Sequence, residues 1–488
     1  MNKILLASAL VASFGANAAI IDNDVNQTNI ATLQSNGVIE LSLVSLGDTN
    51  LVGTNLVNTS TATTTGLIAA VDNDVNQVAL LNGQVNGVVG VNGIDLGNTT
   101  VIGLNSVNAS TQTAGAVGPV AFVSENDTNQ LAIGIGQGNG VLNAAFITAG
   151  NISVDGTNLV NTAEQNIGGA GLLSVVAGND INQGAFGIGQ GNGVANVALA
   201  SFGNINVKGV NAVNSAEQNV GSLGIIVDGV VDNDISQTAQ FIGQQNGVFD
   251  AGILNAGNIS LAGVNLVNVA TKTTLGAGLI QGVVDNDIMQ NADDITQANT
   301  VTSVGALRLG NVTVDGTNAV NIATAEMTSL ALIQLVEKNN INQAADNIGQ
   351  SNNINVGASV SIGNLELTGT NVVNQASHVI NVGSVLAGVA RNEVDQTAFG
   401  IAQDNTVNVV AGANVGAITV TGSNSINTAI LDINMGSFGV ALDNNITQVS
   451  AGNVQSNGVN ILAGIQAGPV KLTGTNSINA ASLSVTQP

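Results

Sequence analysis

Apolar and polar residues alternate over short stretches throughout the chain. Residues 205–208 read Ile-Asn-Val-Lys, and equivalent alternating stretches occur at residues 152–154, 259–261, 312–314 and 418–420. Alternation with a period of two is typical of β-strands, because successive side chains point to opposite faces. Gly and Asn turn signals separate these stretches, so the pattern predicts an all-β chain.

The segment from Gly178 to Val231 shows which elements this pattern predicts in detail. We expect five short strands, at residues 180–188, 194–202, 205–208, 210–215 and 224–231. Turns are predicted where Gly and Asn cluster, at residues 189–193 and 203–204, and at Lys208-Gly209.

This segment belongs to a repeat that occurs nine times. We number each copy from its first Gln, which falls at Gln27, Gln77, Gln130, Gln183, Gln237, Gln290, Gln343, Gln396 and Gln448. All nine copies then have Asn at −4, Gln at 0 and +7, Asn at +9, Gly at +20 and +26, and Asn at +28 and +31. In the fourth copy these residues are Asn179, Gln183, Gln190, Asn192, Gly203, Gly209, Asn211 and Asn214, and in the fifth they are Asn233, Gln237, Gln244, Asn246, Gly257, Gly263, Asn265 and Asn268.

Successive copies are 50 to 54 residues apart, and a period in this range is typical of solenoids. We therefore predict a single elongated β-solenoid, a cross-β stack of nine repeats, over residues 19–488. Each copy could form one coil of about 53 residues or two coils of unequal length. At about 4.8 Å per coil, nine coils would give a stack of roughly 43 Å and eighteen coils roughly 86 Å.

The fixed Asn and Gln residues predict ladders of side-chain amides. In a β-stack each side chain meets its own equivalent in the coils above and below, and an amide can donate to one and accept from the other. We expect the Gly residues at +20 and +26 to turn corners with positive φ. All length changes fall after the +31 Asn, which predicts an outward loop there.

Two other classes of structure conflict with the composition. The chain is 44% hydrophobic and rich in Val and Ile, whereas disordered chains are poor in such residues. A helical-repeat solenoid is disfavoured because Gly, Asn and β-branched residues are poor helix formers.

Composition also argues against several functions. The chain has no Cys and a net charge of −24, which argues against zinc sites and against binding to nucleic acid. The one His, His378, follows the seventh +31 Asn, so we expect it to lie in a solvated loop. The acids recur with the repeat and do not gather at one unique place. We therefore predict no catalytic site and no enzyme.

Acidic residues at −5 and −3 would form a column of charge along the stack. Five copies have acids at both positions, and Lys338 and Arg391 occupy −5 in two adjacent copies, where they would interrupt the column. The favoured interpretation is a solvated turn whose charges slow uncontrolled stacking. Calcium is a weaker possibility, because paired carboxylates suit hard cations. We predict no other cofactor.

The N-terminus has the pattern of a secretory signal peptide. Lys3 precedes an apolar run from Ile4 to Gly15, and Ala16-Asn17-Ala18 fits a small-x-small cleavage site. We expect residues 1–18 to be removed and the remaining chain to be exported. No stretch is long and apolar enough to predict a transmembrane helix.

The residues of one segment resemble those of known fibre proteins. Residues 183–194 read Gln-Gly-Ala-Phe-Gly-Ile-Gly-Gln-Gly-Asn-Gly-Val. This segment resembles the repeats of bacterial functional amyloids, namely curlins and Fap-type fibre subunits. The resemblance implies a secreted subunit of biofilm fibres at the surface of a Gram-negative bacterium, with itself as partner and helped by a separate nucleator and an outer-membrane exporter.

These observations support two hypotheses for function. The repeats leave little sequence for a cap at either end, which favours a subunit that self-assembles end to end. The alternative is a monomeric surface adhesin that binds a glycan or protein. Its binding face would be formed by the variable links at residues 59–70, 109–124 and 323–337.

Overall fold

A computed structural model describes residues 19–487; the predicted signal peptide lies outside this range. The described chain is an elongated all-β solenoid of parallel strands. Its strands are β1 (Ala19–Ile21), β2 (Val25–Ile30), β3 (Leu33–Ser45), β4 (Thr49–Gly66), β5 (Ala69–Val71), β6 (Val75–Leu80), β7 (Gly83–Asp95), β8 (Thr99–Val117), β9 (Val120–Ser124), β10 (Thr128–Ile133), β11 (Gly136–Thr148), β12 (Ile152–Ala177), β13 (Ile181–Ser201), β14 (Ile205–Val231), β15 (Ile235–Asn255), β16 (Ile259–Val284), β17 (Ile288–Arg308), β18 (Val312–Glu337), β19 (Ile341–Ser361), β20 (Leu365–Val382), β21 (Leu386–Ala390), β22 (Glu393–Phe399), β23 (Ala402–Asn414), β24 (Ile418–Met435), β25 (Phe438–Leu442), β26 (Asn445–Ala451), β27 (Val454–Gln466) and β28 (Val470–Thr486).

Each copy of the repeat forms one coil. In the fourth coil, β13 and β14 lie in different sheets and are joined by a turn at residues 202–204. The next coil lies directly above, because Gln183 pairs in parallel register with Gln237. The same register continues through the described chain and builds two 14-stranded sheets. The possibility of two coils per copy is therefore wrong.

Fewer turns interrupt a coil than the sequence predicts. The turn at residues 203–204 is confirmed. However, residues 189–193 lie inside β13 and Lys208-Gly209 lies inside β14. Their glycines stay extended because each pairs with a residue in the neighbouring coil. The coil therefore has two long strands in place of five short ones.

The variable link is also built differently from the prediction. It is the continuation of β14 beyond Asn214, and the length differences are absorbed by an irregularity between Leu223 and Val227. Similarly, the links proposed as a binding face, at residues 59–70, 109–124 and 323–337, consist mostly of strand. The predicted outward loop is wrong.

Three positions in every coil bend the backbone through the left-handed region. All residues with positive φ between 19 and 487 occupy position −5, +4 or +31, with φ between 52° and 68°. Asn occupies +31 in all nine coils. Asn and Asp tolerate this conformation better than other residues with a Cβ atom. The +31 Asn therefore turns a corner as well as contributing to a ladder.

The interior consists of apolar stacks separated by polar columns. One stack contains Val194, Ile205 and Val207 with their equivalents in other coils. A second contains Ile188 and Val213 with their equivalents, and a third is built around the positions of Ile181 and Val220. Amide columns run between these stacks, so every coil buries polar side chains next to aliphatic ones.

Candidate functional site: amide ladders and the end faces

The two Gln positions form ladders along the interior. The Gln183 side-chain amide donates to the Gln130 side-chain oxygen at 2.8 Å, and Gln190 does the same to Gln137 at 2.8 Å. Gln183 also donates to the carbonyl oxygen of Asn161, the corner residue of the preceding coil, at 2.8 Å. Each Gln column therefore bonds to its own sheet and to the opposite one.

The +9 and +28 Asn residues form a double column that joins the two sheets. Asn192 donates to Asn211 of the same coil at 3.0 Å and to Asn246 of the next at 3.0 Å. Asn211 donates to Asn246 at 3.1 Å and to Asn265 at 2.8 Å. Asn192 and Asn211 are both buried. The double column holds the strands of the two sheets in one register.

Two further Asn columns stabilise the corners. Asn214 donates to the side chain of Asn268 at 2.9 Å and to the carbonyl oxygen of Thr238 at 2.8 Å. Asn179 donates to the side chain of Asn233 at 2.8 Å. All six amide columns run from the first coil to the ninth within the described residues.

The glycines at +20 and +26 serve close packing, so the expectation of positive φ is wrong. Neither position has positive φ in any coil. A Cβ atom on Gly203 would lie 1.9 Å from the carbonyl oxygen of Gly150 in the preceding coil. A Cβ atom on Gly209 would lie 2.0 Å from the side-chain oxygen of Asn246 in the next coil. Gly257 and Gly263, the equivalent residues of the fifth coil, are packed in the same way.

The outer surfaces of the first and ninth coils are open. In the ninth coil the inward-facing Leu472 and Ile478 are 48% and 46% exposed, whereas their equivalents in the eighth coil, Val420 and Ile426, are fully buried. In the first coil the inward-facing Val38 is only partly buried. No part of residues 19–487 covers either surface. We call these the N-terminal face (coil 1) and the C-terminal face (coil 9).

The acids at −3 form a column that is partly withdrawn from water. The Asp127 carboxylate accepts the backbone N–H of Asp180 at 2.9 Å, and the Asp180 carboxylate accepts that of Asp234 at 2.9 Å. Burial raises the pKa of Asp127 to about 7 and those of Asp180 and Asp287 to about 6, although these backbone bonds oppose the shift. The prediction of a fully solvated column is therefore wrong at −3.

The cations at −5 interrupt the acidic column by pairing with the preceding coil. Lys338 lies 3.8 Å from Asp285, and Arg391 forms an ion pair with Glu337. Both cations are about half exposed. Their pairs reduce the repulsion between neighbouring acids in the sixth to eighth coils.

Lys272 is a buried cation that sequence analysis missed. It occupies position +35, where the three preceding coils have Gln112, Gln165 and Gln218. Its ammonium donates to the carbonyl oxygen of Asn233. Burial lowers the pKa of Lys272 to about 8, although Asp234, Asp287 and Asp180 favour its charge. The partial Gln column at +35 was the available signal, because it marks this position as interior.

His378 lies in the same +35 column, so the expectation of a solvated loop is wrong. Its side chain is 1% exposed, and neither ring nitrogen has a hydrogen-bond partner among the described residues. Burial lowers the pKa of His378 to about 4, and Lys272 adds to this shift. The imidazole is therefore neutral at pH 7 and fills interior volume.

A second buried cation, Arg308, lies next to the turn at residues 309–311 that joins β17 to β18. Its guanidinium donates to Ser303 at 2.9 Å and lies 3.8 Å from the Asp250 carboxylate. Burial lowers the pKa of Arg308 to about 10, against the attraction of Asp250. Arg308 and Asp250 point inward, and neighbouring coils have small polar side chains at the same two positions. The sequence pattern therefore gave no sign of an ion pair here.

An exposed apolar ridge runs along the solenoid at the variable link. Its register column is Val120, Leu173, Val227, Ile280, Ile333, Leu386 and Phe438. From Leu173 onward these side chains are 38% to 67% exposed. An exposed apolar strip from the third coil to the eighth offers a lateral contact surface.

No group of three or more His, Cys, Asp or Glu side chains within residues 19–487 is arranged to hold a metal ion. The described residues also include no helix of the length and apolarity that crossing a membrane would need.

The fold and its interior define a parallel β-solenoid held together by amide ladders. The chain matches no protein-family model, no curated protein and no solved structure.

Proposed function

We propose that this protein is a structural subunit that adds end to end into extracellular fibres. The observation that carries the proposal is the pair of open end faces. Within residues 19–487, in-register parallel pairing leaves unpaired strand edges on coils 1 and 9, next to apolar side chains that are buried in every interior coil. Native proteins usually cover or charge such edges, because they template the addition of another chain.

The amide ladders support the same proposal. Each column gains one more hydrogen bond for every coil that is added, so a second chain could extend the stack by the contacts already used inside the first. The activity would therefore be templated β-addition, carried by the eight fixed positions.

Export to the surface of a Gram-negative bacterium, within a biofilm matrix, belongs to the proposal as well. It is supported by the signal-peptide pattern and by the resemblance of residues 183–194 to functional-amyloid repeats. A separate nucleator and exporter would assist assembly.

The experiment uses residues 19–488, purified in denaturant and diluted into buffer. Electron microscopy and fibre diffraction would follow the product. We expect unbranched fibres with a meridional spacing near 4.7–4.8 Å. Discrete rods that stay monodisperse through prolonged incubation with seeds would overturn the proposal.

A surface adhesin is the second candidate, and the apolar ridge is the observation that favours it. The ridge is built from the variable links, where an adhesin would vary its binding face. A soluble rod that binds a glycan or protein ligand, and loses binding when Ile280 and Ile333 are replaced by Ser, would support this alternative.

A further inference from the structure

We propose that the C-terminal face binds the N-terminal face of a second copy in one orientation only, so that every fibre is polar. This inference rests on the end-to-end assembly proposed above and adds its geometry. It is drawn from the direction of the ladder hydrogen bonds and from two glycines at the end faces.

The side-chain amides of the Asn ladders and those of the Gln ladders donate in opposite directions along the solenoid axis. In all four Asn columns the side-chain amide donates toward the C-terminal end, as in the bonds from Asn36 to Asn86 at 2.9 Å and from Asn405 to Asn457 at 2.9 Å. In both Gln columns it donates toward the N-terminal end, as from Gln77 to Gln27 at 2.8 Å. The direction is the same at every step between neighbouring coils.

The C-terminal face therefore presents a defined set of groups. The side-chain oxygens of Asn457 and Asn479 accept from the eighth coil, so their amide nitrogens lie on the outer side. One N–H of Asn457 donates to Asn476 of the same coil, and its second N–H is left for the Asn oxygen of an added coil. The side-chain oxygens of Gln448 and Gln455 also point outward, because their nitrogens bond back to Gln396 and Gln403.

The N-terminal face presents the complementary set. Side-chain oxygens at Asn36 and Asn58 are directed outward, because their nitrogens donate into the stack. The Gln27 and Gln34 nitrogens donate to carbonyl oxygens of their own coil at 3.0 and 3.1 Å and each retains a second N–H. A C-terminal face placed on this surface would continue the Asn columns at +9 and +31 and the Gln columns at 0 and +7 with donors opposite acceptors.

Two identical faces do not match in this way. If the columns of two C-terminal faces were brought into line, Asn donors would meet Asn donors and Gln acceptors would meet Gln acceptors. A two-fold axis between them would also run the facing strands antiparallel, so the columns would not coincide. Head-to-tail contact is heterologous and open, which generates a filament.

Two glycines provide a steric test of this junction. In coils 2 to 9 a Cβ atom at +20 would lie 1.7–2.1 Å from the +20 carbonyl oxygen of the preceding coil, but at Gly47 it would meet nothing within 4 Å. In coils 1 to 8 a Cβ atom at +26 would lie 1.9–2.1 Å from the +9 Asn oxygen of the next coil, but at Gly474 the nearest atom is 3.0 Å away, in Asn457. An added methyl group thus meets nothing at Gly47, and at Gly474 it requires a shift of a few tenths of an ångström in the Asn457 side chain of its own coil. At either position it would clash severely only in a junction.

The experiment compares the parent chain with Gly47→Ala and Gly474→Ala, each over residues 19–488, by mass photometry and electron microscopy. Gly47→Ala blocks the N-terminal face and Gly474→Ala blocks the C-terminal face. We expect each variant alone to stay monomeric. An equimolar mixture should form dimers and no larger species, because the C-terminal face of Gly47→Ala fits the N-terminal face of Gly474→Ala and the other two faces are blocked.

The outcomes separate this inference from the proposed function. Dimers of either variant alone, or fibres from either one, would overturn the single orientation while leaving assembly itself intact. A parent chain that remains monomeric would overturn the proposed function and with it this inference. Gly189→Ala is the matched control, since its Cβ atom meets nothing within 4 Å and it lies in the fourth coil.

Cross-linking gives a second test that does not depend on these variants folding. Asn50 and Lys471 are exposed at the same repeat position in coils 1 and 9, and the chain has no Cys. Register partners on neighbouring strands are about 4.8 Å apart, which a disulfide can bridge. With diamide added as the thiol oxidant, Asn50→Cys chains mixed with Lys471→Cys chains should form mixed disulfide dimers. Dimers of Lys471→Cys alone at equal yield would contradict the proposal.

Discussion

Asn192 and Asn211 lie on strands of opposite sheets, and the side-chain amide of Asn192 donates to the side-chain oxygen of Asn211 at 3.0 Å. Asn211 also accepts from Asn158 at 2.8 Å and donates to both Asn246 and Asn265. One buried amide therefore links three coils and both sheets. The ladder along the stack and the contact between the two sheets therefore depend on the same side chain, Asn211.

Replacing Asn211 by Ala should be strongly destabilising. The change removes the partner of several buried donors and acceptors, and each unsatisfied group costs about 1–3 kcal/mol. We expect a loss of about 2–6 kcal/mol, measured by denaturation. Asn206→Ala is the control, because Asn206 lies on the same strand and is exposed. Equal effects of the two substitutions would contradict the ladder's role.

Two glycines of the fourth coil should respond oppositely to the same substitution. Gly203→Ala would place a methyl group 1.9 Å from the carbonyl oxygen of Gly150, so the coils must separate locally and the melting temperature should fall. Gly189→Ala meets no atom within 4 Å and should be neutral or stabilising by about 0.4–1 kcal/mol, because it restricts the unfolded chain. A melting temperature unchanged by Gly203→Ala would contradict the packing explanation.

The fold class followed from the sequence because both of its causes appear as patterns along the chain. Alternation of residues such as Ile205 and Asn206 indicates strands, and exact recurrence of Gln and Asn indicates stacking of equivalent positions. The coil path did not follow, because Gly at 189–193 can occupy either a turn or an extended strand. Only pairing with the neighbouring coils decides between these conformations.

The polar interior could be predicted only where it repeats. Gln183 and Asn192 recur in every copy, so their columns were expected. His378, Lys272 and Arg308 each occur once. The partial Gln column at +35 marked the interior position that Lys272 and His378 share, whereas no such column marked the position of Arg308. Position +4 bends every coil but carries Ala, Leu, Gly, Phe, Asp or Asn, so it left no signal.

Stability should fall as the pH rises from about 4 to about 7. The pKa values of Asp127, Asp180 and Asp287 are raised from 3.8 to about 6–7 by folding, so the folded chain binds more protons than the unfolded chain across this window. The melting temperature should therefore be higher at pH 4–5 than at pH 8.

Replacing these three acids by Asn should flatten that dependence. Asn340 occupies the same position naturally, and its side-chain oxygen accepts a backbone N–H at 2.9 Å, so the substitution preserves the contact. The triple variant should gain stability at pH 8 and little at pH 4. Asp155→Asn removes one exposed charge and is the control. An unchanged slope in the triple variant would exclude the acidic column as its origin.

Lys272→Gln should stabilise the chain by about 1–3 kcal/mol at pH 7. The buried side-chain oxygen of Gln218 has no partner among the described residues, whereas Gln112 and Gln165 accept from the following Gln at 2.9 and 2.7 Å. A Gln at 272 could supply that missing donor and would remove a buried charge.

The pH dependence of stability distinguishes the removal of this buried ammonium from the removal of any other positive charge. Because folding lowers the pKa of Lys272 from 10.5 to about 8, the parent chain should gain stability as the pH rises between these values. The variant should lack this gain, whereas the exposed Lys208→Gln control should retain it. A destabilised Lys272→Gln would show that attraction to the neighbouring carboxylates outweighs the burial of the ammonium.

Glu40→Gln should accelerate fibre growth if the end faces join as proposed. Glu40 faces inward on the first coil, where its carboxylate accepts the Thr49 hydroxyl at 3.0 Å, and the equivalent residue of the ninth coil is Ile461. A head-to-tail junction would therefore bury this carboxylate against an aliphatic side chain. Inward-pointing charges at a sheet edge slow unwanted pairing.

Seeded growth at pH 7 should be several-fold faster for Glu40→Gln than for the parent chain. Glu164→Gln removes an equal charge from an exposed site in an interior coil and should leave the rate unchanged. Equal rates for both variants would mean that Glu40 is not buried when a chain is added, and that the contact at the N-terminal face differs from the contact between interior coils.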